Sequence, residues 1–339
     1  MKPWTGRAFF LLLLAGLLYW ALQNAPLREI LAQLRQLTLM QAVWLAVVNT
    51  VIFLLITARW WLILRAETRN IPFAPLVAYR LAAFGLSYFT PGPQVGGEPL
   101  QILYLRRNYG FSFARATSAV ILDKLLEFLA NFLFLGMGLL SIARSGMLSA
   151  YAPPPWLVLP LVLFLLWPLV HILLMYFDKH PLSALLAPFL RLRHASQQGR
   201  LSLPLFPDKV WRPLLDFVRL VTVSEHLAGA FCRRHLGYLW LALAASLLVW
   251  VGMVYEYLYM LACLQAPLNF DQSLASLTLV RLAFLMPMPA GLGALEASQV
   301  LALRAFGLPA ALGISLSLLM RARDLVLGGL GLLIAAIQR

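Results

Sequence analysis

Cysteine is almost missing from this 339-residue chain. The two present, Cys232 and Cys263, stand far apart. That excludes a disulfide framework and a thiolate metal site. The five histidines show no HExxH or similar spacing, so no metal is expected. Walker A, GxSxG and kinase signatures are absent, which argues against an ATP-driven pump on this chain alone. Charge is scarce as well: Asp, Glu, Lys and Arg make up 12%, about half the share usual in a soluble domain. Acid is scarcest, with 13 Asp and Glu against 27 Lys and Arg. A net charge of +14 would suggest nucleic acid in a soluble protein. No nucleic-acid-binding signature accompanies it, so no nucleic acid is expected. Basic loops facing anionic lipid account for the excess. No cofactor is expected either.

What the chain has is apolar length. Hydrophobic residues form 62% of it, in runs that reach the ~20 residues needed to span a bilayer. The expected fold is an all-α polytopic membrane protein, one membrane domain over 1–339. A first span is placed at Ala8–Leu22, uncleaved, followed by an amphipathic linker, LREILAQLRQL. Further spans are expected at Thr38–Leu64, Ser112–Ile142, Trp156–Phe177, Leu236–Leu264 and Pro309–Ile337, about six in all. Trp60 and Trp61, beside Arg59 and Arg65, read as an interfacial end of the second span. Between Asp178 and His235 lies the one polar region, with nine Lys and Arg against four Asp and Glu. It reads as a basic cytoplasmic connection lying on the inner leaflet.

Two segments break the pattern. After a helix over Ala74–Phe89 come Pro91, Gly92, Pro93, Gly96 and Gly97, then Glu98 as a cap and a helix ending near Arg107. Ten residues at 1.5 Å cover about 15 Å, half the bilayer core. The second segment runs through Arg281, Pro287, Pro289, Gly291, Gly293 and Glu296 to Arg304. Arg80-Leu-Ala-Ala-Phe recurs as Arg281-Leu-Ala-Phe, and a charged mid-span cluster follows each segment. Broken helices in lipid are tolerated where protein or water satisfies the backbone. Both segments are therefore expected to be re-entrant hairpins lining a cavity. With the basic region inside, counting outward opens the first hairpin to the cytoplasm and the second to the outside. Both termini then face the cytoplasm. The result is a pair of inverted repeats, 39–142 and 236–337, joined by 178–235. In transporters of this plan the site lies near the midplane.

Charges in a bilayer cost several kcal/mol and usually line a protected space. Asp123, Lys124 and Glu127 lie on one span, and Arg321, Arg323 and Asp324 on another. They either pair structurally, Lys124 with Glu127 and Arg321 with Asp324 as i,i+3 neighbours, or form a polar cavity for a charged headgroup or proton. Glu98 and Glu296 either cap the short helices or act as counter-charges, to Arg80 and Arg281 among others. Arg106, Arg107 and Arg304 either snorkel to phosphate or recruit an anionic lipid.

The stretch PGPQVGGEPLQILYLRRNYG with ILDKLLEF, and later MPAGLGALEAS, resembles the paired signatures of the flippase-like family. That family includes the membrane domain of lysylphosphatidylglycerol synthases. Glu98, Asp123 and Lys124 fall in the first signature and Glu296 in the second. Gln101 stands where an arginine is common, and Ala290 where a glycine is usual. The resemblance implies a bacterial inner-membrane protein that moves an anionic phospholipid or a lipid-linked molecule (polyprenyl or hopanoid type) between leaflets. Membrane lipids would be its partners, and homo-oligomers are possible. With the chain ending at Arg339, no aminoacyl-transfer domain and no synthase reaction are expected. A membrane enzyme on a lipid-linked substrate, or an ion or small-solute carrier, are the alternatives.

Overall fold

The structure, a computed structural model, describes residues 35, 37–68, 70–89, 96–145, 155–188, 208–284 and 293–337. The expected first span and the breakers Pro91, Gly92, Pro93, Pro287, Pro289 and Gly291 lie outside them. Eleven helices and no strand occur among the described residues. They are α1 (Leu39–Glu67), α2 (Phe73–Phe89), α3 (Glu98–Tyr109), α4 (Phe113–Arg144), α5 (Pro155–Tyr176), α6 (Pro181–Pro188), α7 (Asp208–Arg234), α8 (Leu236–Cys263), α9 (Phe270–Phe284), α10 (Ala294–Ala305) and α11 (Ala310–Ile337).

Local chemistry sets several boundaries. Thr38 and Gln41 form a reciprocal capping box at the start of α1, satisfying donors the first turn would orphan. Ser112 caps α4 by accepting from the Arg115 amide. Gly110 closes α3 in the left-handed region at φ 65°, where a Cβ would be strained. The cap of α3 differs from expectation: Gly97 is the N-cap and Glu98 the first helical residue, with Pro99 following. The glycine is needed, since a Cβ on it would lie 2.2 Å from the Ala83 carbonyl of α2.

Helices α1, α4 and α8 are long and apolar enough to cross a membrane. A fourth candidate is α5 with α6, bent by 92° between them. At 28 residues, α11 reaches about 42 Å, but Arg321, Arg323 and Asp324 interrupt its apolar run. Only 17% of the apolar window of α1 and 22% of that of α8 lies inside the protein. Such exposed apolar surface needs lipid to cover it. The basic region forms α7, whose Leu215, Val218, Ala228, Phe231 and Cys232 are buried at helical spacing, on the side packed against α4 and α5.

Two seams hold the molecule together. In one, α1 packs along α8, where Gly252 lets Ile52 approach. In the other, α2 packs along α11. A Cβ on Gly331 would sit 2.1 Å from the Leu81 carbonyl, so these backbones touch. Helix α9 packs on α4, while α3 packs on α2 and α4, and α10 on α9 and α11. One apolar core gathers Trp60, Leu76, Leu105 and Leu122; another gathers Tyr257, Leu277, Leu295 and Leu319.

Candidate functional site

A cavity of about 270 Å³ is lined by α1, α2, α3, α4, α8, α9 and α11. Its lining carries five cations, Arg59, Arg80, Lys124, Arg281 and Arg323, and four carboxylates, Glu98, Glu127, Glu256 and Asp324. Phe53, Phe84, Phe128 and Trp250 supply apolar wall between them.

On the side of α1 to α4, Asp123 is the anchor. It is fully buried behind the lining. Its two oxygens accept from Arg59 Nε at 2.6 Å and Arg80 Nη1 at 2.8 Å. Arg59 also donates to Glu127 at 2.8 Å. Lys124 bridges Glu98 at 3.2 Å and Glu127 at 3.3 Å. Glu98 accepts from the Gly96 amide as well, so it holds the start of α3 and faces the cavity at once. Gln101 is buried one turn on, its oxygen 3.4 Å from Arg80. A charge placed in lipid survives only with such partners.

On the side of α8 to α11, Arg323 donates to both oxygens of Glu256, at 2.8 and 2.7 Å, and to Asp324 at 2.8 Å. Asn49 of α1 donates to Glu256 at 2.9 Å, joining the two sides. Glu296 accepts from the Gly293 amide and pairs with Arg321. Gln299, one turn beyond Glu296, accepts from the Tyr257 hydroxyl at 2.7 Å.

Seven of the eleven residues expected at a site meet in or against this cavity. Arg80, Glu98, Lys124, Arg281, Arg323 and Asp324 line it; Asp123 braces two of the lining arginines. Arg321 and Glu296 pair with each other and are not among the lining residues. Arg106 and Arg107 do not come in: they are exposed on the last turn of α3, Arg106 over the Phe113 ring at 5.3 Å. The expected i,i+3 pair Lys124–Glu127 forms, whereas Arg321 pairs with Glu296 and Asp324 with Arg323.

The family model described as lysylphosphatidylglycerol synthase TM region matches residues 8–331. The chain belongs to this family. As a lysylphosphatidylglycerol synthase TM-region protein it is a multi-pass helical membrane protein linked to lipid metabolism or transport. Comparison with curated proteins and with solved structures gave no match.

Sequence reasoning did not place Arg59, Gln101 or Glu256 among the residues that line the cavity. Arg59 with Trp60 reads as an interfacial pair, yet both are buried, at 2% and 0% exposure. The burial follows from Asp123 and Glu127 on α4, which α1 packs against. Glu256 is a lone acid in an apolar run, and its partner is 67 residues away. Gln101 and Gln299 each follow a short-helix glutamate by three residues, a spacing that was there to be read.

Proposed function

We propose that this protein moves an anionic phospholipid or a lipid-linked molecule between the leaflets of the bacterial inner membrane, as a transporter and not as an enzyme. One observation carries the reading: a charged cavity of about 270 Å³ among helices of which α1 and α8 carry broad exposed apolar surface. Ligand pockets run from roughly 300 Å³ upward, so this one suits a headgroup, with the acyl chains left in the bilayer.

An inverted-repeat plan gives such a cavity its alternation. Its support is a correspondence of packing. Pairing α1, α2, α3, α4 with α8, α9, α10, α11 sends the contact of α2 with α11 onto that of α9 with α4. The contact of α1 with α8 maps onto itself. Arg59 and Glu256 then correspond, each the 21st residue counted from Leu39 and Leu236. So do Glu98-x-x-Gln101 and Glu296-x-x-Gln299. Re-entrant hairpins would be α2 with α3 and α9 with α10. With the basic α7 region inside, both termini are cytoplasmic.

The test is leaflet movement of labelled lipids in liposomes, comparing the native chain with Glu98→Gln and Arg321→Ala. Slower movement in both variants is expected. Equal rates would remove the site assignment, and no movement with any lipid would remove translocation.

A further inference from the structure

Of the five cations lining the cavity, four meet a carboxylate: Arg59, Arg80, Lys124 and Arg323. Arg281 does not. Among the described residues no carboxylate lies within ion-pairing distance of it, and its buried Nε has no partner. Its one hydrogen-bond contact is the thioether of Met253, 2.8 Å from Nη2, a weak acceptor. Its guanidinium lies over the Trp250 ring at 4.7 Å. The nearby acids are engaged: both oxygens of Glu256 and one of Asp324 accept from Arg323. Arg281 lines the main cavity and also a smaller one of about 20 Å³ beside it.

The contrast with Arg80 sharpens this. Arg80 opens the matching sequence motif and faces the same cavity, but Asp123 neutralises it at 2.8 Å. One of two corresponding guanidiniums is thus closed by the protein, and the other is left open on an indole face. A half-buried guanidinium with a buried, unpartnered Nε and no counter-ion is unfavourable, and a ring and a thioether compensate only in part. A planar guanidinium fork matches the oxygens of a phosphate.

We propose that Arg281 is the phosphate-binding residue of the cavity, taking the phosphate of a lipid headgroup or free phosphate. This rests on the translocation reading only for its biological role; the binding site stands on the geometry alone.

The experiment uses the purified full chain in detergent and calorimetric titration with dihexanoyl phosphatidylglycerol, inorganic phosphate and dihexanoylglycerol. The native chain should bind the phospholipid and not the phosphate-free lipid. Arg281→Gln should weaken that binding at least tenfold, Arg281→Lys less than Arg281→Gln because the charge remains while the fork is lost, and Arg106→Gln not at all. Inorganic phosphate binding equally well, with the same dependence on Arg281, supports the site and assigns it to the free ion. Folding is followed by the thermal transition of the lipid-free protein, which Arg281→Gln should leave unchanged or raise, because it removes an uncompensated charge. Undiminished phospholipid binding by a folded Arg281→Gln overturns the proposal. So does a lowered transition like that of the paired arginines, which marks a structural role. If the native chain binds at Arg281 but moves no lipid in liposomes, translocation fails while this inference holds.

Discussion

Replacing Asp123 by Asn should unsettle the protein more than any other single carboxylate change. Asp123 has no exposed surface and stands between two guanidiniums at 2.6 and 2.8 Å. Removing one partner of a buried pair costs about 3–5 kcal/mol, since the remaining charge stays buried without compensation. Here two cations lose a partner, but Glu127 stays within 2.8 Å of Arg59 and 3.6 Å of Arg80. That favours the low end, about 3 kcal/mol. At about 2 °C per kcal/mol for a chain this long, the thermal midpoint should fall by about 6 °C. Fluorescence-detected size-exclusion after heating reads this directly. Asp178→Asn is the control: its side chain is 70% exposed, and its pair with Arg233 should contribute less than about 1 kcal/mol. Combining Asp123→Asn with Arg80→Gln removes one stranded cation, and the double variant should be more stable than Asp123→Asn alone. Equal midpoints for Asp123→Asn and Asp178→Asn would refute the reasoning.

Two glycines on α11 make a matched pair. Gly331→Ala forces a Cβ to within 2.1 Å of the Leu81 carbonyl and should cost about 1–3 kcal/mol as the α2–α11 seam opens. Gly329→Ala meets nothing within 4 Å and should be neutral or stabilising by about 0.5–1 kcal/mol; similar midpoints for both would contradict the seam. The two thiols should also differ. Cys232 on α7 is buried, and burial pushes its thiol up to about 11, so little thiolate exists at pH 8; Cys263 is partly exposed. Maleimide at pH 8 should label Cys263 first, and mass spectrometry of labelled peptides showing faster reaction at Cys232 would argue against the α7 packing.

The helical membrane class follows from composition and run length, because a bilayer demands long apolar helices whatever their neighbours. The restart at Glu98 was equally visible, since proline and glycine act on their own local backbone. Most of the charged residues, though not Arg59 or Glu256, could be named for the same reason: any ion in an apolar run needs a polar environment. Their partners could not. Asp123 meets Arg59 across 64 positions and Glu256 meets Arg323 across 67, and no periodicity within one helix encodes which helix lies opposite. Spacing along the chain suggested Arg321 with Asp324, where packing joins Arg321 to Glu296 on α10 instead. The same holds for Trp60 and Arg59, which look interfacial on an isolated helix and become interior once α4 lies against it. That Arg80 is matched and Arg281 is not can be seen only when the helices are assembled, because pairing is a property of distance in space and the two motifs are nearly identical as text.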